Sequence, residues 1–169
     1  MTDKQQRFNL NQPGKMNRLH QHASKPAEDT AAVVDNKAAV RVAAKFLEDV
    51  GWDNIITRQA SSGIIRASHG ERGDVRVNVR HVTLSFTSVL DFPGSEIEVI
   101  GVRAYRWMKP KPRYHLFLNA DMTHLAILSR ETFPEWSVNH HSHTYRCDVK
   151  YLLFCSLSEE QRDAADSSQ

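Results

Sequence analysis

From Asp74 to Arg80 the chain alternates Val75, Val77 and Val79 with Asp74, Arg76, Asn78 and Arg80. Successive side chains of a strand point to opposite faces, so the valines define a core face and the four polar groups line the other. One carboxylate, one amide and two guanidiniums in a row can pair ions, but they offer a cation a single acid. A second stretch able to do chemistry carries Arg103, Arg106, Lys109, Lys111 and Arg113 with no acid, interleaved with Tyr105, Trp107 and Tyr114. Cations among aromatic rings hold phosphates and stack on bases. Trp107 serves equally as a core residue if this segment is a helix, and both readings stand at this level.

The remaining reactive side chains fall into commoner patterns. His140, His141 and His143 lie near Cys147 and Cys155, a zinc-compatible set, but no Cys-x-x-Cys pair exists and adjacent His140 and His141 point apart on a strand. A polar loop is the better reading. Asp121 and His124 fall where Asn119 and Asp121 suit a tight turn. Cys155 follows Tyr151, Leu152, Leu153 and Phe154, the setting of a buried thiol rather than a nucleophile. The chain has no G-x-S-x-G, Walker or G-x-G-x-x-G motif, which removes the simplest hydrolase, nucleotide and dinucleotide readings.

The elements that must position these residues follow from apolar period and turn chemistry. Ala39, Ala43, Phe46, Leu47 and Val50 share one face of a helix from Asp35, as its cap, to Gly51, its stop. Strands are predicted around Asn54–Arg58, Gly63–Ala67 and Asp74–Phe86, the last broken near His81. Over 95–108, Ser95 and Glu98 have capping-box spacing and Ile97, Ile100, Ala104 and Met108 form a helical stripe, while Val99, Ile100 and Val102 favour a strand. Pro110 and Pro112 end the segment either way. Tyr114–Leu118 and His124–Ser129 form a hairpin, and Thr144–Phe154 supplies a last strand or short helix. The expected fold class is α/β (α+β), a mixed sheet flanked by helices.

At 169 residues the chain suits one domain, burying about 70% of its unfolded surface. The expected division is a polar, basic arm over 1–34, a single domain over 35–157 and an acidic tail over 158–169. Hydrophobic content of 40% and charged content of 25% are those of a soluble protein, with no run near the ~20 apolar residues of a membrane span. The start MTDKQQRFNLNQPGK has no signal-peptide core, so a cytoplasmic or virion setting is expected, with both cysteines reduced. A net charge of +2 is too small to imply nucleic-acid binding by itself; only the local basic blocks carry that expectation.

The order of elements, with the phrases SGIIRASHG, VRVNVRH, FPGSEIEVIGV and YHLFLNADMTHLAILS, resembles PD-(D/E)xK nuclease-like proteins of phages and mobile elements, over roughly Asp35 to Trp136. In that family an acid on one strand and an acid-x-lysine on the next hold Mg²⁺ for phosphodiester hydrolysis. Carried onto this chain, the first acid falls near Gly63–Ile64 and the acid-x-lysine on Arg76-Val77-Asn78, and none of these has a carboxylate. A two-residue shift offers Asp74-Val75-Arg76 instead, with Glu48 of the first helix as a further acid. The resemblance therefore implies a restriction-endonuclease-like αβββαβ fold with a degenerate site and no cofactor, acting as a DNA-associated or assembly module. Its alternative is a rearranged Mg²⁺-dependent endonuclease using Glu48, Asp74 and Arg76. The implied partners are DNA, or another protein of an assembly held through the basic arm, with no membrane.

Overall fold

The computed structural model describes residues 28–167. Its first element, helix α1 (Glu28–Asp49), buries Ala39, Val40, Val42, Ala43, Phe46 and Leu47. Asp35 is interior to this helix rather than its cap, since the helix already begins at Glu28. Gly51 does end it. With φ +90°, Gly51 donates its N–H to the Glu48 carbonyl (3.0 Å) and Trp52 donates to Leu47 (2.9 Å), the paired bonds of a left-handed helix stop. Val50 lies past the last helical residue and is 49% exposed, so it leaves the expected stripe. The expected arm over residues 1–34 lies outside the described residues up to 27; from Glu28 onward it is helix.

Strands β1 (Asp53–Gln59), β2 (Ile64–His69) and β3 (Arg72–His81) form an antiparallel meander. The third strand stops at His81, the point at which the sequence predicts a break. After a loop comes β4 (Glu96–Gly101), then the short helix α2 (Val102–Trp107). The helix expected over 95–108 thus forms only in its second half. The β-branched residues of the first half pair antiparallel with a distant strand, and this tertiary pairing overrides the local stripe. The hairpin β5 (Tyr114–Leu118) and β6 (His124–Ser129) stands as expected. Beyond it lie β7 (Ser137–Asn139), β8 (Thr144–Asp148), β9 (Leu153–Ser156) and helix α3 (Glu159–Asp163).

The result is a mixed α+β fold with two sheets. The larger has the order β1-β2-β3-β5-β6-β9, antiparallel throughout except where β3 and β5 run parallel; the smaller has the order β4-β8-β7. Helix α1 covers one face of the larger sheet through Ile65, Ala67, Val77, Val79, Leu116, Leu118 and Leu125. The small sheet covers the other face over β5 and β6, burying Phe117, Ala126 and Leu128 with Ile97, Val99, Tyr105 and Cys147. Strand β5 is therefore covered on both sides, which suits its mostly apolar YHLFL run. The acidic stretch read as a tail folds as α3 and packs on α1: Gln161 donates to Asp49 (2.9 Å), Lys45 pairs with Glu160 (3.1 Å), and Arg41 donates to the carbonyls of Ala164 and Ala165. No helix among the described residues is long and apolar enough to cross a membrane.

Candidate nucleic-acid interface

The polar row of β3 is divided by what covers it. At its far end Arg80 donates to the carbonyls of Glu98 and Val99 (3.0 Å each) on β4, tying the two sheets together. Asn78 is buried, with its side-chain amide 3.1 Å from Nδ1 of a fully buried His115. Burial, assisted by the Arg80 charge, lowers the His115 pKa to about 3, so this imidazole is neutral at physiological pH. At the near end the sheet face is open. Asp74 pairs there with Arg66 (3.0 Å), and Arg76 stands opposite Arg66 across the β2–β3 ladder. Arg58 and Arg66 share a further cleft on the same face with Ile56.

Glu48 does not join this group. It sits on α1, exposed, in a cleft with Lys37, Arg41 and Lys45, on the sheet face opposite to Asp74. Gly63, where the family's first acid would fall, has φ +73°, and a Cβ there would lie 2.4 Å from the Val79 carbonyl oxygen. Neighbouring Ile64 is buried opposite Asn78. Glu48, Asp74 and Arg76 are thus not assembled at one point, and among the described residues no group of three His, Cys, Asp or Glu side chains is placed to hold a metal ion. The histidines at 140, 141 and 143 belong to the β7–β8 turn, where Asn139 accepts from the His141 and Ser142 amides. Asp121 accepts from Thr123 in the β5–β6 turn. Cys147 and Cys155 are free thiols, and burial pushes the Cys147 pKa up to about 11.

The basic block forms around α2. Tyr105 anchors that helix in an aromatic cluster, stacked on Phe133 (5.3 Å) and near Trp136 (5.8 Å) and Tyr145 (5.5 Å). With Tyr105 inward, the helical period turns Arg103, Arg106 and Trp107 outward. Trp107 is 78% exposed, which decides against its reading as core. Lys111 caps the helix, donating to the carbonyls of Tyr105 and Arg106 with its ammonium 4.7 Å from the Tyr105 ring centre. Val102, Arg103, Arg106, Trp107, Lys109 and His143 line an open cleft of about 670 Å³. None of Arg103, Arg106 and Lys109 has a carboxylate partner among the described residues.

The five sequence-predicted cations therefore separate into two places. Arg103, Arg106 and Lys109 surround Trp107. Lys111 and Arg113 border a smaller cleft with Asp74, Arg76 and Arg130. Arg130 and the anchoring ring of Trp136 gave no signal in the sequence, and His143, noted there only as part of a zinc-compatible set, lines the α2 cleft instead, since only the strand order brings them here. Compared with protein-family models, curated proteins and solved structures, the chain matches none.

Proposed function

We propose that the protein is a non-catalytic nucleic-acid-binding module that takes a single-stranded stretch across α2, with a base on Trp107 and phosphates on Arg103, Arg106 and Lys109. The observation that carries this reading is an indole exposed to 78% amid three cations that have no carboxylate partner among the described residues. An exposed ring offers a face to any unpaired base, and cations beside it supply sequence-tolerant phosphate contacts. The dispersal of carboxylates supports binding without cleavage, because phosphodiester hydrolysis by metal ions needs acids that converge. On this reading the resemblance to PD-(D/E)xK proteins is one of scaffold, with Arg76 and the Gly63–Ile64 pair where the family's acids would stand and a DNA-associated or assembly role.

The test is fluorescence anisotropy of a labelled oligonucleotide between 50 and 200 mM salt, with Mg²⁺ and Mn²⁺ cleavage measured in parallel. Each phosphate contact on a single strand contributes a log–log salt slope of about −0.7, so neutralising Arg103, Arg106 and Lys109 to glutamine flattens the slope by about 2. Equal binding of parent and variant at every salt concentration defeats the reading. Absence of binding to any nucleic acid at low salt moves the cleft to a protein partner. Metal-dependent cleavage that is lost in Asp74→Ala makes the protein an enzyme instead.

A further inference from the structure

The smaller cleft at the start of β3 has a construction that base stacking on Trp107 does not use. Its volume is about 160 Å³, and Asp74, Arg76, Pro110, Lys111, Arg113 and Arg130 are among its walls. The backbone places three arginines in register: Arg113 donates its N–H to the Arg76 carbonyl (2.8 Å), and Arg130 donates its N–H to the Arg113 carbonyl (2.9 Å). Like charges directly opposed across neighbouring strands destabilise a sheet. Three in a row, lining one cleft, invite an anion between them.

The local ion pairs do not neutralise the row. Arg113 pairs with Glu131 (3.2 Å) and Arg66 with Asp74 (3.0 Å), while Arg76 and Arg130 have no carboxylate partner among the described residues. Arg66, Arg76, Lys111, Arg113 and Arg130 against Asp74 and Glu131 leave three positive charges in excess. Two donors are also idle: Nε of Arg76 and Nε of Arg113 are buried with no acceptor among the described residues. Buried donors of charged groups are ordinarily satisfied, so both guanidiniums keep hydrogen-bonding capacity that this arrangement leaves unused.

We propose that this cleft is a phosphoryl-group site, in which the guanidiniums of Arg76, Arg113 and Arg130 hold the oxygens of one phosphate. Guanidinium forks match phosphate geometry and remain charged at all physiological pH values. The cleft falls below the roughly 300–1,000 Å³ of sites for drug-sized ligands, so it admits a phosphoryl group and excludes a nucleoside. The same phosphate can come as a strand terminus, an internal phosphodiester or the free anion. For the first two sources the inference rests on the nucleic-acid reading above. The segment Lys109–Arg113 joins both clefts, so a strand seated on Trp107 is led directly to this one.

The experiment uses the full chain and inorganic phosphate, read by melting temperature and by NMR of the arginine Nε–H groups, then matched oligonucleotides with 5′-phosphate or 5′-hydroxyl ends. Millimolar phosphate is expected to raise the melting temperature and shift the Arg76 and Arg113 Nε–H signals. Without phosphate, Arg76→Gln is expected to melt at or above the parent, because it relieves like-charge repulsion, and to lose the phosphate response. A 5′-phosphate that tightens binding at least fivefold assigns the site to a strand terminus. Equal affinity of the two ends, with loss in Arg76→Gln, assigns it to an internal phosphodiester. If Arg76→Gln fails to fold, Arg130→Gln and the parent Nε–H shifts still decide the question. The proposal is overturned if phosphate moves neither signal and Arg76→Gln binds oligonucleotides like the parent, or if Arg76→Gln lowers stability and keeps its phosphate response. Phosphate shifts without any oligonucleotide binding uphold this site and defeat only the nucleic-acid reading.

Discussion

Replacing Trp107 with alanine separates a binding residue from a structural one, because the ring contributes almost nothing to the folded core. At 78% exposure its truncation removes little buried surface, so stability should stay within about 0.5 kcal/mol of the parent. The loss of one base–ring stack is worth about 1–3 kcal/mol, which at 1.4 kcal/mol per tenfold is a weakening of roughly 5- to 140-fold. Anisotropy titration of a single-stranded oligonucleotide reads the affinity, and urea unfolding reads the stability. Trp107→Phe should recover most of the affinity, since a phenyl face still stacks. Intrinsic fluorescence gives an independent readout among the three tryptophans: Trp52 and Trp136 are half-buried among other rings, so quenching by a bound strand should come from Trp107 and vanish in the alanine variant. An alanine variant of unchanged stability that binds within twofold of the parent refutes the stacking argument.

Two further expectations concern the fold that presents the site. His115 stays neutral down to about pH 3 when folded, whereas an unfolded histidine takes a proton near 6.5, so the unfolded state binds more protons between these values. Stability is therefore fully present above pH 6.5 and falls by up to about 1.4 kcal/mol per pH unit as pH drops through that window; the difference between parent and His115→Gln urea curves across pH isolates this slope, and parallel curves would contradict it. Gly63→Ala forces a Cβ to within 2.4 Å of the Val79 carbonyl at φ +73°, so it should cost at least about 2 kcal/mol by urea midpoint, and an unchanged midpoint would show that this contact relaxes freely.

The hairpin of β5 and β6 was legible because its two apolar runs flank a turn rich in Asn and Asp, a local signal that tertiary contacts do not overrule. The segment 95–108 was not, since Val99 and Ile100 satisfy both periods and only pairing with β8 chooses between them. The reach of α1 upstream of Asp35 was hidden because Asp29, Thr30, Val33 and Val34 have low helix propensity, so nothing local in that stretch announces a helix. For the site, the sequence named Arg103, Arg106 and Lys109 but could not orient Trp107, whose exposure follows from the burial of Tyr105 two residues earlier. Glu48 and Asp74 looked combinable until the helix was placed on the valine face. The Asn78–His115 pair and the row Arg76, Arg113 and Arg130 join residues far apart in the chain, and only the β3-β5-β6 strand order makes them neighbours.

The parallel pairing of β3 with β5 has a consequence for how such a protein can diversify. Parallel neighbours cannot be joined by a tight turn, so the chain must leave the sheet and return, and here residues 82–113 make that excursion with β4 and α2 on board. The register on either side is fixed by pairs such as Val77 with Tyr114 and Val79 with Leu116, which do not depend on what the excursion displays. The exposed side chains of α2 and the bend after it can then be exchanged while both ends of the segment remain clamped. The segment that topology obliges to be long is thus the one free to acquire a new ligand.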